Sequence, residues 1–351
     1  MISCRITTSL LFLLVLTLLH ICSTVGKHDY VSSVSQSAQN DTQVMMDRYS
    51  QWLTKHRRKY GDKNEWLHRF TVYSNNVRFI EHINAQNYSY KLADNKFADL
   101  THKEFRDKYL GYNPRYEDSR SFKEEFVYED TDTINLPANI DWRKSGAVAE
   151  VKDQGTCGSC WAFAAVAAIE GITKIKTGQL LSLSEQQLVD CDRFRENQGC
   201  SGGIMEDAYE FIKGNGLTTE ANYPYTGNDG TCNTTKSSKK VATISGYVRV
   251  PKNSEATLQA AAAQQPISTA IDSGIALQFY SSGVFTGSCG TSLNHGVTIV
   301  GYGEEDEKKY WIVKNSWSAA WGENGYVRML RNVDGDSGIC GIAMQASYPL
   351  K

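Results

Sequence analysis

Gln154-Gly-Thr-Cys157-Gly-Ser-Cys160-Trp161 is the segment with the densest set of residue types that could act on a carbonyl group. Cys160 lies where a turn containing glycine meets the start of an alanine-rich helical pattern. A helix N-terminus carries partial positive charge and free N–H groups, and both lower the pKa of a thiol. We therefore predict that Cys160 is a nucleophile that attacks a carbonyl carbon.

His295 is the only histidine after residue 136, so chemistry there that needs an imidazole must use it. An imidazole near the thiol can form an ion pair with the thiolate and later protonate the leaving amine. Asn315 can accept an N–H bond from that ring, and Trp317 can shield the bond from water. Gln154 lies six residues before Cys160. Its amide and the Cys160 backbone N–H can together stabilise a developing oxyanion.

Other interpretations of Cys157 and Cys160 compete with this one. A C-x-x-C redox pair would make a thiol–disulfide oxidoreductase, although the motif lies outside a βαβ pattern. A zinc site lacks a matching second pair of ligands, and we expect neither a metal nor a cofactor. A structural disulfide suits Cys157. The number of cysteines after residue 136 is odd, so at least one should stay unpaired, and Cys160 has the best environment to be that one. These seven cysteines are Cys157, Cys160, Cys191, Cys200, Cys232, Cys289 and Cys340.

The first 26 residues predict a cleaved secretory signal peptide. Arg5 is their only charge, and the apolar stretch LLFLLVLTLL is too short to span a bilayer. A signal anchor is the alternative. Export implies an oxidising compartment, and we expect no membrane segment after the signal is removed. Sequons make Asn40, Asn87 and Asn233 candidate glycosylation sites.

Composition excludes several classes of protein. The chain has 37 Lys+Arg against 39 Asp+Glu, so its net charge of −2 gives no positive field for nucleic acid. A hydrophobic content of 41% is too high for a disordered chain. Residues 27–135 contain no cysteine but five of the seven histidines. We therefore predict a separate first unit over 27–135 and a mature unit over 136–351.

Hydrophobic periodicity supports this division. Apolar residues recur at helical spacing over 64–86, whereas the acidic stretch 111–135 has no period and is interpreted as a linker. In the second unit, helices are predicted from Cys160 to about Lys176, from Ser184 and from Glu206 to Lys213. Short strands are predicted later, at 267–271, 297–301, 310–314 and 326–330. This order favours an α+β pair of subdomains with a cleft between them.

The motifs together resemble the papain family of cysteine proteases, and the plant branch most. By that resemblance, Cys160 is the nucleophile, His295 its acid/base partner, Asn315 the residue that orients the histidine, and Gln154 part of the oxyanion hole. The implied fold has a helical left subdomain and a β-barrel-like right subdomain, with the active-site cleft between them. The resemblance rests on these motifs: Gln154–Phe163, Asp141-Trp142-Arg143, Ser182–Gln186, Gly199–Gly203, Tyr223-Pro-Tyr225, Asn294-His295 and Asn315-Ser-Trp317.

The resemblance also implies three disulfides, which sequence alone cannot select from the 15 pairings of six cysteines. They are Cys157–Cys200, Cys191–Cys232 and Cys289–Cys340. Implied substrate-binding residues would pair with extended substrate backbone or line an apolar pocket for a bulky hydrophobic residue two positions before the scissile bond. These residues are Gly202, Gly203, Ile204, Met205, Ala270, Leu293, Asn294 and Trp317.

The first unit is similar to the inhibitory prosegment of this family. The implied protein is therefore a secretory-pathway cysteine endopeptidase made as a zymogen, in a vacuole, a lysosome or the extracellular space. Its expected partners are protein and peptide substrates, its own propeptide and cystatin-type inhibitors, and we expect a monomer. A non-catalytic binding or storage protein on the same fold is the alternative. One departure is Ser318, where the family usually has glycine; a positive φ there would strain a serine.

Overall fold

The computed structural model describes residues 40–114, 136–193 and 195–351. The predicted signal peptide and most of the predicted linker lie outside the described residues. The chain forms two compact units that divide between Ser74 and Asn75, and the boundaries expected at 26/27 and 135/136 stay predictions. Among the described residues, no helix combines the length and apolar character that a membrane crossing requires.

The described part of the compact unit that ends at Ser74 is helical, and its core consists of aromatic side chains. Residues 40–55 form α1, and α2 (Lys63–Asn84) begins in this unit and continues into the next. The ring of Tyr49 is fully buried, and its centroid lies 4.8–5.9 Å from the rings of four other aromatic residues. Aromatic rings at such distances gain energy beyond their buried area. The four neighbours are Trp52, Trp66, Phe70 and Tyr73.

The compact unit that begins at Asn75 contains the rest of the predicted prosegment, with β1 (Tyr90–Leu92) and α3 (His102–Tyr109). Thr101 begins α3 with a capping box. Its hydroxyl accepts the Glu104 N–H at 3.2 Å, and the Glu104 carboxylate accepts the Thr101 N–H at 2.9 Å. Asn76 on α2 donates to the carbonyls of Ala98 and Leu100, at 2.8 and 2.9 Å. These bonds fix the path of the chain between α2 and α3.

Three helices form the first half of the remaining body: α4 (Cys160–Thr177), α5 (Glu185–Cys191) and α6 (Met205–Asn215). The alanine-rich α4 is buried along most of its length and ends at Gly178, whose φ of 77° places it in the left-handed region. Ser184 caps α5 by accepting the Gln187 N–H at 3.0 Å. All three helices confirm the sequence-based prediction. Further short helices follow: α7 (Thr234–Ser237), α8 (Glu255–Ala262) and α9 (Ile275–Gln278).

Strands form most of the second half. In the described part of the chain they make a nine-stranded, mostly antiparallel sheet of order β1-β5-β8-β7-β6-β4-β9-β3, with β2 also paired to β6. The four predicted strands correspond to β4, β6, β7 and β8. The strand bounds are β2 (Ile140–Asp141), β3 (Gly246–Arg249), β4 (Ile267–Ile271), β5 (Tyr280–Phe285), β6 (His295–Glu305), β7 (Lys308–Lys314), β8 (Tyr326–Leu330) and β9 (Ala346–Leu350).

The sheet corrects one expectation, because it is open where a barrel-like subdomain was implied. Within the described ranges, β1 and β3 end the strand order and do not pair with each other. Helix α4 packs against β4, β6 and β9. The sheet therefore buries apolar surface against a helix and need not close on itself.

Three disulfides form among the described residues, and they are the pairs that the resemblance implies: Cys157–Cys200, Cys191–Cys232 and Cys289–Cys340. The loops that they close span 43, 41 and 51 residues. Closing loops of this size removes conformational freedom from the unfolded chain, and each such bond typically contributes about 2–4 kcal/mol.

Candidate active site

Cys160 is the one cysteine in the described residues that forms no disulfide, and it is fully buried at the first position of α4. Its sulfur accepts the backbone N–H of Gly296 at 3.3 Å. Burial raises the pKa of the Cys160 thiol, and the backbone N–H groups of Gly296, Gly111, Trp161 and Cys160 itself oppose that rise. Donors from β6, from the prosegment and from the N-terminus of α4 therefore surround the sulfur and would stabilise a thiolate.

His295 is the first residue of β6, next to Gly296. Its Nε2 lies 2.8 Å from Oδ1 of Asn315, which directly follows β7. The same oxygen accepts the backbone N–H of Ser316 at 2.8 Å, which identifies it as the amide oxygen. Because that oxygen only accepts, Nε2 carries the proton and Nδ1 is left as the basic nitrogen. His295 Nδ1 is buried without a hydrogen-bond partner in the described structure.

Trp317 covers the bond between His295 and Asn315. Its ring stacks on the imidazole with centroids 4.5 Å apart and an interplanar angle of 24°. Only 1% of the Trp317 surface is exposed. A hydrogen bond shielded from water in this way is electrostatically stronger than an exposed one. The adjacent Ser318 has φ = 67°, so the position where glycine was expected does adopt the left-handed conformation.

Gln154 is fully buried and hydrogen-bonded through both ends of its amide. Its Oε1 accepts the Ser316 hydroxyl at 2.6 Å. Its Nε2 donates to the Cys157 carbonyl at 2.8 Å and to the Tyr109 carbonyl at 3.0 Å. The predicted oxyanion donor is therefore fixed in orientation, and a carbonyl from the prosegment side of the chain occupies it.

Residues 110–113 lie against the same site as an extended backbone. Gly203 donates its N–H to the Gly111 carbonyl at 2.9 Å and accepts the Asn113 N–H at 3.1 Å. Tyr112 donates its N–H to the Asn294 carbonyl at 3.1 Å. The bridge between Tyr112 and Gly203 is parallel. Gly203 and Asn294, which were expected to bind substrate, thus bind prosegment backbone here.

Tyr112 is 5% exposed and belongs to a buried apolar cluster that also contains Cys160. Met344 is partly buried against this cluster. The four side chains expected to form the specificity pocket are brought together in it: Ile204, Met205, Ala270 and Leu293.

Two prosegment phenylalanines, which sequence reasoning did not assign to the site, pack against Trp317, the residue that stacks on His295. Phe97 and Phe105 meet Trp317 edge to face, with centroid distances of 5.7 and 5.0 Å. Thr101-His-Lys-Glu104 before Phe105 has capping-box spacing. That signal could have predicted α3 and thereby placed Phe105 on a helix.

Burial holds the Cys160 and His295 side chains neutral in this covered state. Removal from water raises the pKa of the Cys160 thiol to about 11 and lowers the pKa of His295 to about 4. Desolvation disfavours both charged forms. The charged thiolate–imidazolium pair expected from the sequence stays a prediction for the processed enzyme.

A buried group of charges behind the site was also missed by sequence reasoning. Lys152 Nζ lies 2.7 Å from Glu185 Oε2 and 3.5 Å from Glu170 Oε1. Lys314, the residue before Asn315, reaches Glu170 Oε2 at 4.0 Å. Burial raises the pKa of Glu185, and the charge of Lys152 opposes that shift. The group connects α4 and α5 to the end of β7, and thereby the two halves that carry Cys160 and Asn315.

The other predicted site residues lie in the following places. Gly202 has φ = 111°, a conformation that favours glycine. Asn40 and Asn87 are exposed, and Asn233 caps α7 by accepting the Lys236 N–H at 3.0 Å. Among the described residues, no group of three or more His, Cys, Asp or Glu side chains could hold a metal ion.

Comparison with known proteins identifies the family. Residues 136–350 match "Papain family cysteine protease", and residues 49–105 match "Cathepsin propeptide inhibitor domain". The chain belongs to the papain family. It is 53% identical over 309 residues to the KDEL-tailed cysteine endopeptidase CEP2 of Arabidopsis thaliana, covering 86% of this chain and 85% of that protein.

Two solved precursors extend the comparison to structure. The recombinant stem bromelain precursor is 47% identical with a TM-score of 0.79, covering 87% of this chain and 98% of the other. The proform of the ragweed pollen allergen Amb a 11, a cysteine protease, is 43% identical with a TM-score of 0.78, covering 87% and 94%. These matches confirm the predicted papain-like fold with a prosegment. The chain is a cysteine endopeptidase with an intramolecular inhibitory propeptide, and so a zymogen.

Gly111 generates a prediction about how tightly the prosegment binds. A Cβ on Gly111 would overlap the backbone of Gly158, which cannot withdraw as a flexible side chain can. We expect Gly111→Ala to raise the activity of the unprocessed chain on a small peptide substrate by about tenfold or more, since the prosegment must lift from the cleft. Gly61→Ala, where a Cβ meets nothing within 4 Å, is the matched control and should leave the precursor inactive. Equal activity of the two variants would contradict the close packing described here.

The pKa of His295 generates a second prediction. Its folded-state pKa of about 4 lies below the unfolded value of 6.5, so the unfolded chain binds a proton first as the pH falls. The neutral ring therefore stabilises the folded precursor fully above pH 6.5, and this contribution is lost progressively towards pH 4, by about 3 kcal/mol. Denaturant unfolding of the precursor carrying Cys160→Ser, which prevents self-cleavage, measures the loss.

The matched control adds His295→Gln to that chain. Glutamine does not titrate, so the free energy of unfolding should fall less steeply between pH 6.5 and pH 4 than in the chain that keeps the histidine. Parallel pH profiles for the two chains would show that His295 is not the group responsible.

Proposed function

We propose that removal of residues 27–135 uncovers a Cys160–His295 pair that cleaves peptide bonds through an acyl-enzyme. The observation that carries this proposal is the hydrogen bond of 2.8 Å from His295 Nε2 to Asn315 Oδ1. It fixes the tautomer in which Nδ1 can take the thiol proton. Cys160, at the start of α4 and outside the disulfides of the described residues, is held close to His295, because its sulfur accepts the N–H of the next residue, Gly296, at 3.3 Å.

The reaction proceeds in two halves. His295 Nδ1 takes the Cys160 proton, and the thiolate adds to the substrate carbonyl carbon to form a C–S bond. Gln154 Nε2 and the Cys160 N–H stabilise the resulting oxyanion. The oxyanion then collapses as His295 gives its proton to the leaving amine nitrogen, and the C–N bond breaks. Water next attacks the thioester, His295 takes its proton, and the acid product and free thiol are released.

The sites that prosegment backbone fills here are the sites where we infer that substrate binds. Gly202, Gly203 and Asn294 would pair with substrate backbone, and Trp317 would border the leaving-group side. The apolar cluster that encloses Tyr112 would accept the residue two positions before the scissile bond: Ile204, Met205, Ala270 and Leu293. Because this cluster is apolar, a bulky hydrophobic side chain fits it best.

We further propose that the enzyme matures in the secretory pathway and acts in a vacuole, a lysosome or the extracellular space. The predicted signal peptide and the three disulfides support an oxidising route. We expect the mature enzyme, residues 136–351, to be a monomer with Asn233 as its candidate glycosylation site, whereas Asn40 and Asn87 are candidate sites in the prosegment. A cystatin-type inhibitor would bind the uncovered cleft where residues 110–113 now lie.

The mechanism predicts graded losses for two variants of the processed enzyme. Cys160→Ser should abolish both peptide hydrolysis and covalent labelling by a thiol-reactive epoxide, because a serine hydroxyl is a far weaker nucleophile here. Gln154→Ala should keep labelling but lower kcat by about 10²–10³, since one oxyanion donor is lost. Labelling that persists in Cys160→Ser would mean that another residue is the nucleophile.

The specificity pocket predicts the cleavage profile. A peptide library should be cut preferentially after sequences with Phe, Leu, Val or Tyr two positions before the bond, and poorly with Asp or Lys there, because an unpaired charge would be buried in an apolar pocket. Introducing a carboxylate with Ala270→Glu should shift this preference towards basic residues. A cleavage profile that does not depend on the residue two positions before the scissile bond would contradict the proposed specificity pocket.

A further inference from the structure

The loop from Gln154 to Cys160 carries both predicted oxyanion donors, one at each end. The Gln154 side chain supplies the first donor, and the Cys160 backbone N–H supplies the second. The middle of the loop is fixed by the disulfide from Cys157 and by the Gly158 N–H, which donates to the Cys200 carbonyl at 2.9 Å. The spacing of the two donors therefore depends on what fixes the ends of the loop.

The hydroxyl of Tyr225 contacts both ends of this loop. It donates to the Gln154 carbonyl at 2.8 Å and lies 2.7 Å from the hydroxyl of Ser159, the residue before the nucleophile. A carbonyl only accepts, so the single proton of the tyrosine hydroxyl goes to Gln154. The Ser159 hydroxyl must then donate to the tyrosine oxygen. The result is one directed chain from Ser159 through Tyr225 to Gln154, in which each bond polarises the next.

Within the described ranges, the Ser159 side chain makes no hydrogen bond other than the one to Tyr225. It holds the N-cap position of α4, where serine commonly accepts a backbone N–H, but its side chain makes no such bond. Its backbone, at φ = −97° and ψ = 15°, differs from the extended conformation usual for a cap. The hydroxyl is directed to Tyr225, which leaves the first N–H groups of α4 to face the Cys160 sulfur.

Tyr225 is itself held in place independently of the loop. Its backbone N–H donates to the Glu220 carboxylate at 2.8 Å. Its ring meets Phe163 on α4 edge to face at a centroid distance of 4.9 Å. Burial raises the pKa of the Tyr225 hydroxyl above its usual value, so the hydroxyl stays protonated and keeps donating at any pH at which the enzyme would work.

We propose that Tyr225 is a positioning residue that fixes the distance between the two oxyanion donors by tying Gln154 to Ser159. This inference rests on the proposed function, because it assumes that Gln154 and the Cys160 N–H form the oxyanion hole. Tyr225 touches neither donor atom and acts only through the two ends of the loop. Removing its hydroxyl should therefore weaken binding of the transition state more than binding of the substrate.

The test compares Tyr225→Phe with Tyr223→Phe in the same Tyr-Pro-Tyr motif. Both changes remove one hydroxyl, but the Tyr223 hydroxyl donates to Asp190 at 2.6 Å and accepts the Asn233 N–H at 3.1 Å, away from the loop. Each full chain is expressed, processed and normalised by active-site titration. Melting temperatures report any general loss of stability.

We expect Tyr225→Phe to lower kcat about tenfold with KM nearly unchanged, and Tyr223→Phe to leave both within about twofold. A peptide aldehyde, whose adduct with the thiol places an oxygen in the oxyanion hole, should bind about tenfold more weakly to Tyr225→Phe. The same peptide as a C-terminal amide forms no stable adduct with the thiol and so develops no oxyanion, and it should bind both variants equally well.

Ser159→Ala provides a second, smaller change. It should lower kcat by a few-fold alone and add nothing in combination with Tyr225→Phe, because both act through one chain of hydrogen bonds. Independent, multiplying losses would overturn the proposal. So would a Tyr225→Phe enzyme with unchanged kcat and aldehyde affinity, or losses that Tyr223→Phe shares. The Cys160→Ser enzyme separates this failure from failure of the proposed function. If Cys160→Ser is inactive and any of these results is found, only the role of Tyr225 is refuted. If Cys160→Ser is active, the proposed function itself is refuted.

Discussion

The hydrogen bond between His295 and Asn315 is the interaction on which the rest of the site depends. An imidazole can take a thiol proton only if the nitrogen facing the sulfur is unprotonated, and the amide oxygen of Asn315 enforces that tautomer. The antiparallel pairing of β6 with β7 brings the two residues together although 20 positions separate them. Trp317 keeps water from competing for the bond. The pairing of β6 with β7 therefore fixes the orientation of the His295 imidazole.

The nucleophile comes from the other half of the fold, so the site requires the two halves to keep their relative position. Gln154 contributes to this by bonding to Ser316 through its backbone N–H at 2.9 Å and through its side chain at 2.6 Å. Lys152 and Lys314, with Glu170 and Glu185, add buried ionic contacts behind it. Buried charges are costly to desolvate, so such a group favours one particular arrangement more than it adds stability.

Local signals made much of this structure predictable. Helix α4 and its stop at Gly178, the Ser184 cap and strands β4 and β8 follow from composition, capping residues and alternation. The Gln154–Trp161 motif and the isolation of His295 led directly to the candidate site. Sequence could not give the open sheet, because closure depends on which surfaces pack together. Nor could it give the neutral state of Cys160 and His295, which depends on how far burial excludes water.

The pairing of β1 with β5 has a consequence for the life of the protein after maturation. In the precursor, β5 lies between two neighbours, β1 and β8. If the prosegment is cut away, β1 leaves with it, and Tyr280, Ser282 and Gly283 of β5 lose the strand that they pair with in the precursor. Strand β5 then becomes an edge strand, and the unpaired backbone groups of an edge strand can pair with another chain. Maturation would then expose an unpaired strand edge in the same step that opens the cleft.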